Sequence, residues 1–148
     1  MRIAILMGSE KDLPKMQAAV DVLQALHIDH EVHVMSAHRT PERVAAFAAG
    51  ARDAGYAAII CGAGKAAHLA GAVAANTTLP VIGVPIAAGS LGGLDALLST
   101  VQMPTGIPVA TVAVDSSANA AYLAAAVIST TDEAVAATLA SYREGLKA

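Results

Sequence analysis

Strand-like and helix-like segments alternate along this chain, and that alternation confines it to a parallel α/β sheet more tightly than any single motif does. Residues 2–7 read as a short buried strand that stops at Gly8. Asp12 is placed to cap a helix in which Leu13, Met16, Val20, Leu23 and Leu26 recur at helical spacing. A second strand at 31–35 leads to Pro41, which suits the first turn of a helix over 41–54. Val44, Phe47 and Ala51 share one face of that helix, and Gly55 closes it. A third strand, 57–61, runs into Gly62-Ala63-Gly64 and an alanine-rich helix through 75. A fourth, 81–84, lies between Pro80 and Pro85, and the glycine-rich stretch 86–93 reads as a mobile loop before a helix over 94–101. A fifth strand at 109–114 is followed by helices over 119–129 and 132–146, the last with Asp132 and Glu133 in its first turn.

The pattern predicts one domain over residues 1–148: a three-layer αβα, flavodoxin-like, doubly wound parallel sheet of five strands with an extra C-terminal helix. The common order for such a sheet is 2-1-3-4-5, which makes strands 1, 2 and 3 neighbours. Their carboxyl-end junctions are Gly8-Ser9-Glu10-Lys11-Asp12, Ser36-Ala37-His38-Arg39-Thr40-Pro41 and Gly62-Ala63-Gly64-Lys65-Ala66-Ala67-His68. Each carries glycine or serine with charged or histidine side chains, and ligands of such sheets bind where these ends meet. The second junction is the densest. It joins a titratable imidazole and a fixed cation to two hydroxyls, just before a helix whose first N–H groups are free to meet an anion.

Other chemistries fit poorly. Gly62-x-Gly64-x-x-Ala67 has the letters of a dinucleotide fingerprint, but residues 82–88 lack the acid that would hold a ribose. Lys65 follows glycine without the rest of the phosphate-loop spacing. His27 falls at a helix end, and His30 and His33 point to opposite faces of an extended segment, so no metal site is expected of them. No H-E-x-x-H, C-x-x-C or G-x-S-x-G occurs. A formal net charge of −3 gives no basic footprint for nucleic acid.

Composition matters for assembly and compartment. Apolar residues make up 55% of the chain and charged ones 14%, against roughly 25% charged in ordinary soluble domains. Too few charges remain to cover a monomer, so a homo-oligomer is expected. The apolar runs are broken well before the length a membrane span needs, and residues 3–7 are too short for a signal-peptide core. A single cysteine, Cys61, agrees with a reducing compartment. The expectation is a cytoplasmic protein without membrane contact.

Several stretches carry a family likeness in order from about residue 2 to 128: Gly8-Ser9-x-x-Asp12, Ser36-Ala37-His38-Arg39-Thr40-Pro41, Gly62-Ala63-Gly64-x-Ala66-Ala67-His68-Leu69, Gly83-Val84-Pro85, Val101-Gln102-Met103-Pro104-x-Gly106-Ile107-Pro108-Val109-Ala110-Thr111 and Asn119-Ala120. Together they resemble the PurE family of purine biosynthesis. Ser-Ala-His-Arg-Thr-Pro and Ala-Ala-His-Leu are similar to the bacterial class I, the N5-carboxyaminoimidazole ribonucleotide mutases. The resemblance implies an isomerase that moves a carboxylate from N5 to C4 of an aminoimidazole ribonucleotide, with no metal, ATP or organic cofactor.

It also implies His38 as general acid/base and a ligand site at Ser9, Asp12, Ser36, Ala37, Arg39, Gly64, Ala67, His68 and Leu69. An octameric assembly is implied too. The alternatives left open are a carboxylase using dissolved carbon dioxide and a non-catalytic nucleotide-binding relative. This chain has Lys11 where the family usually has serine, Lys65 where a small residue is usual, and Ala70 in place of proline. The segment 114–118 is also shorter than usual. Two added ammonium groups near the crevice would attract an anionic substrate and oppose the imidazolium form of His38.

Overall fold

A computed structural model of the chain describes residues 1–147. Its centre is a five-stranded, all-parallel sheet in the order β2-β1-β3-β4-β5. The strands are β1 (Arg2–Met7), β2 (Asp29–Val34), β3 (Tyr56–Gly64), β4 (Val81–Ile86) and β5 (Ala110–Thr111). Helices α1 (Leu13–Ala25), α2 (Pro41–Gly50), α3 (Leu69–Ala74), α4 (Leu94–Val101) and α5 (Ser117–Ile128) connect or follow them, and α6 (Glu133–Gly145) is the added C-terminal helix. The order and the extra helix are those expected from the sequence.

The period-two alternation of β1 divides the core into two layers. Ile3, Ile5 and Met7 face α1 and α5, packing on Met16, Leu23 and the alanines of α5. Ala4 and Leu6 face the other way, toward Val44 and Ala48 of α2 and Val73 of α3. Small side chains on α5, Ala120, Ala121, Ala124 and Ala125, are wholly buried and let that helix lie close on the sheet. Cys61 is buried in the second layer, where burial pushes its thiol up from the ordinary value.

Several boundaries differ from the sequence reading. The helix expected over 41–54 ends at Gly50, so Gly55 closes a following turn, its N–H donating to Arg52 O at 2.9 Å, and not the helix itself. Strand β2 starts two residues earlier than expected, at Asp29, and ends at Val34. Strand β3 continues through Gly62-Ala63-Gly64, because these residues still pair with Val84, Pro85 and Ile86. The helix after them is correspondingly short and starts only at Leu69. Strand β4 passes through Pro85, whose carbonyl accepts the Asp115 N–H at 2.8 Å on the β5 side. A residue's N and O point to the same side of a strand, so the missing proline N–H falls where β5 has already ended and no ladder bond is lost. Strand β5 is only two residues long because regular pairing stops at Thr111, although the Val112 N–H still reaches Gly83 O at 3.0 Å.

Candidate active site

The β1 junction shows what the first acid is free to do. Ser9 is extended, with φ −154°, and its Oγ accepts the Lys11 N–H at 3.3 Å to cap a single 3-10 turn, Glu10–Asp12. Asp12 precedes α1 but, contrary to the sequence expectation, its side chain makes no capping hydrogen bond. The preceding turn already positions the helix, since the Asp12 N–H donates to Ser9 O at 3.0 Å. Its carboxylate therefore lines a cleft. Burial raises its pKa from the ordinary 3.8, against the opposing influence of the Ser9 backbone hydrogen bond and the Arg39 guanidinium.

The β2 junction is held by its own hydroxyls. Thr40 Oγ1 accepts the Ser36 N–H at 3.0 Å, and Ser36 Oγ accepts the Arg39 N–H at 3.2 Å. The Thr40 N–H closes the turn on Ser36 O at 2.8 Å. This tight loop presents His38 and Arg39 outward. The Arg39 guanidinium donates to Gly8 O at 2.7 Å, tying the second junction to the first. His38 Nε2 lies 2.7 Å from His68 Nδ1, with the rings edge-on at 78°. The sheet order thus brings together two imidazoles that are thirty residues apart in sequence.

The β3 and β4 junctions close the cleft from the other side. A Cβ on Gly64 would meet Ala88 Cβ at 2.8 Å and Ile86 O at 3.1 Å, so the missing side chain is what lets the 87–93 loop lie against β3. Lys65 adopts φ 56°, in the left-handed region, and its Cε lies 3.5 Å from where a Cβ on Gly89 would stand. The start of the loop is fixed by the Ala87 N–H, which donates to Asp115 Oδ1 at 3.0 Å. Asp115 also pairs with Lys15 of α1 at 2.5 Å.

These junctions enclose a cleft of about 540 Å³. Ser9, Asp12, Ser36, Ala37, His38 and Arg39 line one side of it. Gly64, Lys65, His68 and Leu69 line the other, with Ala88. Ala67 is buried beneath the turn and is not part of the lining, and Lys11 lies outside it. Ala88 had no sequence signal, because an alanine in a glycine-rich loop looks like any other. One carboxylate, two fixed cations and two imidazoles give the cleft an anion-attracting character.

Neither of the other features takes part. A larger groove, about 1040 Å³, opens at the N-terminal ends of β4 and β5, where Arg52 and Asp53 are its only charged lining residues. His30 and His33 occupy opposite faces of β2, bonded to Ile28 O at 3.1 Å and Tyr56 Oη at 3.2 Å respectively. Among the described residues no three metal-ligating side chains converge.

Comparison with known proteins identifies the family. The family profile AIRC, AIR carboxylase, matches residues 2–148. The chain is 51% identical over 146 residues to a Pyrococcus abyssi protein named N5-carboxyaminoimidazole ribonucleotide mutase, covering 99% of this chain and 84% of that one. It is 48% identical over 145 residues to the Escherichia coli K12 protein of the same name, covering 97% and 86%. The chloroplastic phosphoribosylaminoimidazole carboxylase of Vigna aconitifolia is 47% identical over 145 residues, which span 98% of this chain and 26% of that longer protein. The crystal structure of Treponema denticola PurE matches with a TM-score of 0.87 at 30% identity, covering 98% and 90% of the two chains. With nearly its full length matched by the profile and by relatives at about half identity, the chain belongs to the AIR carboxylase family.

Proposed function

We propose that this chain, acting as one domain, is an N5-carboxyaminoimidazole ribonucleotide mutase, an isomerase of purine biosynthesis that yields 4-carboxy-5-aminoimidazole ribonucleotide. The observation that carries the reading is the His38–His68 pair lining one cleft together with Arg39 and Asp12, in a chain about half identical to proteins of that name. The chemistry asks for one proton carrier. As the carbamate C–N bond breaks, carbon dioxide leaves and N5 takes a proton from His38. The electron-rich ring then attacks carbon dioxide through C4, and His38 takes the C4 proton away, so protons balance over the cycle.

His68 hydrogen-bonds His38 and orients its ring. Arg39 and the serine hydroxyls suit phosphate, and Asp12 suits ribose hydroxyls. Leu69, Ala88 and the 87–93 loop give the cleft apolar walls that retain carbon dioxide. No metal or organic cofactor is needed for these steps. The protein acts in the cytoplasm as a homo-oligomer, an octamer by family likeness; among the described residues no helix is long and apolar enough to cross a membrane.

The carboxylase reading has one observation in its favour, the 47% identity to the Vigna aconitifolia carboxylase. Turnover of the N5-carboxylated ribonucleotide by purified protein in labelled bicarbonate separates the two. A mutase gives product without label. Product formed only from 5-aminoimidazole ribonucleotide and bicarbonate would replace the mutase with the carboxylase, and binding without any turnover would leave a nucleotide-binding relative.

A further inference from the structure

The reaction above uses every charged side chain of the cleft except Lys65. This lysine is held at φ 56°, a conformation that side chains other than glycine, asparagine and aspartate seldom adopt, and which persists where surrounding structure enforces it. The enforcement is visible: Gly64 is paired with Ile86 and roofed by Ala88, and the Lys65 stem lies against Gly89. Among the described residues no carboxylate forms an ion pair with Lys65. The one acid lining the cleft, Asp12, sits at the β1 junction within the field of Arg39. Lys65 is exposed at the rim of the cleft, so its ammonium meets solvent and is open to a ligand.

Its place along the sheet says which part of the ligand. Arg39 bridges the β2 and β1 junctions, whereas Lys65 bridges those of β3 and β4. Neighbouring strands lie about 4.8 Å apart, so the two cations stand roughly two strand spacings, or about 10 Å, from one another. His38 follows β2 and His68 follows β3, so their contact spans the position of β1, which lies between those two strands. A carboxylated ribonucleotide has the same layout: an anionic phosphate at one end, an anionic carboxylate at the other and the reacting ring atoms next to the second. Resting on the reaction proposed above, we propose that Lys65 is a specificity-determining residue that recognises the carboxylate on the base, Arg39 taking the phosphate.

The chemistry gives this assignment a kinetic signature. The migrating group is a carboxylate in substrate and product but neutral carbon dioxide between them. An ammonium beside it stabilises the two bound ground states more than the intermediate, which tightens binding without speeding bond cleavage. Replacing Lys65 by glycine should therefore raise KM while leaving kcat unchanged or higher. Glycine accepts the positive φ without strain, so the variant keeps its fold.

The test is calorimetric titration of wild type, Lys65→Gly and Lys65→Arg with 4-carboxy-5-aminoimidazole ribonucleotide and with 5-aminoimidazole ribonucleotide, which lacks the carboxylate. Lys65→Gly should weaken the carboxylated ligand about ten-fold, as expected for one charge-assisted contact at a partly solvated rim, and change the other by less than about two-fold. Lys65→Arg should restore most of the loss. Equal weakening of both ligands would assign Lys65 to the phosphate and overturn the proposal, as would no weakening of either. Failure of the wild type to bind either ribonucleotide would instead remove the reaction on which the proposal rests.

Discussion

Two imidazole nitrogens at 2.7 Å can share one hydrogen but not accommodate two, so His38 and His68 must hold complementary tautomers in this arrangement. Such a pair delivers a proton at one ring and fixes its direction with the other. His38→Asn keeps much of the side-chain shape yet cannot carry a proton, so ribonucleotide should still bind while turnover falls by about 10²-fold or more, the lower end of acid–base contributions. Steady-state kinetics beside calorimetry checks this, and near wild-type turnover would transfer the role to His68. Arg39→Ala should fail differently. It removes a charge-assisted contact to phosphate and leaves Gly8 O without its 2.7 Å partner, so affinity should drop about ten-fold or more. At this scale the crowding of polar residues at a strand end was legible in the sequence, and His38, Arg39 and Ser36 do line the cleft, although Ser36 also has the structural duty of holding the turn. The sequence placed Lys65 near the crevice but did not show its conformation: a left-handed backbone is written in the packing of Ala88 and Gly89 over Gly64, not in the letters around position 65.

The loop over 87–93 is better secured than its composition suggests, and one acid does much of it. Asp115, at φ 58°, accepts the Ala87 N–H with one oxygen and the Lys15 ammonium with the other, joining the loop to α1 across the β5–α5 turn. Burial opposes ionisation of Asp115, but the Lys15 and Ala87 hydrogen bonds together outweigh it and hold the carboxyl below its ordinary 3.8. A depressed folded-state pKa stabilises the fold fully above that ordinary value, and the contribution disappears as pH falls through the lower folded value. Asp115→Asn tolerates the same backbone and can still accept from Ala87, so it should cost no more than about 1 kcal/mol. Its distinguishing mark is a flatter dependence of stability on pH below 3.8, read by denaturant unfolding at successive pH values. A wild-type slope in the variant would show that Asp115 is not the titrating anchor. Element identity was legible from periodicity, since Met16, Val20 and Leu23 lie buried on one face of α1 as their spacing requires. Element ends were not. Gly62 to Gly64 and Pro85 look like terminators, yet ladder pairing between β3 and β4 carries both strands through them, and such pairing is a property of the neighbour rather than of the segment.

For the whole molecule, the low charge content becomes two separate apolar surfaces. Leu94, Leu98 and Val101 recur along one face of α4 and are each about half exposed, with Leu91 beside them at 62%. At the far edge of the sheet Val32 and Val34 of β2 are also exposed, on an edge strand that is paired on one side only. Two different patches on opposite edges favour association in which unlike surfaces can meet, the kind that closes into rings, over a single self-complementary dimer contact. Because α4 begins directly after the 87–93 loop, a subunit seated on Leu94 and Leu98 would also brace the loop whose Ala88 lines the cleft. Light scattering of the wild type at micromolar concentration should give a mass several times 14.8 kDa, eight-fold for the octamer. The double variant Leu94→Lys, Leu98→Lys places two cations on that face without touching the buried Ala96 and Thr100 on the opposite side of the helix. It should lower the mass while leaving the far-ultraviolet circular dichroism unchanged, and turnover should fall with the mass. A monomeric wild type would overturn the assembly outright, and an unchanged mass in the variant would move the interface from α4 to another surface.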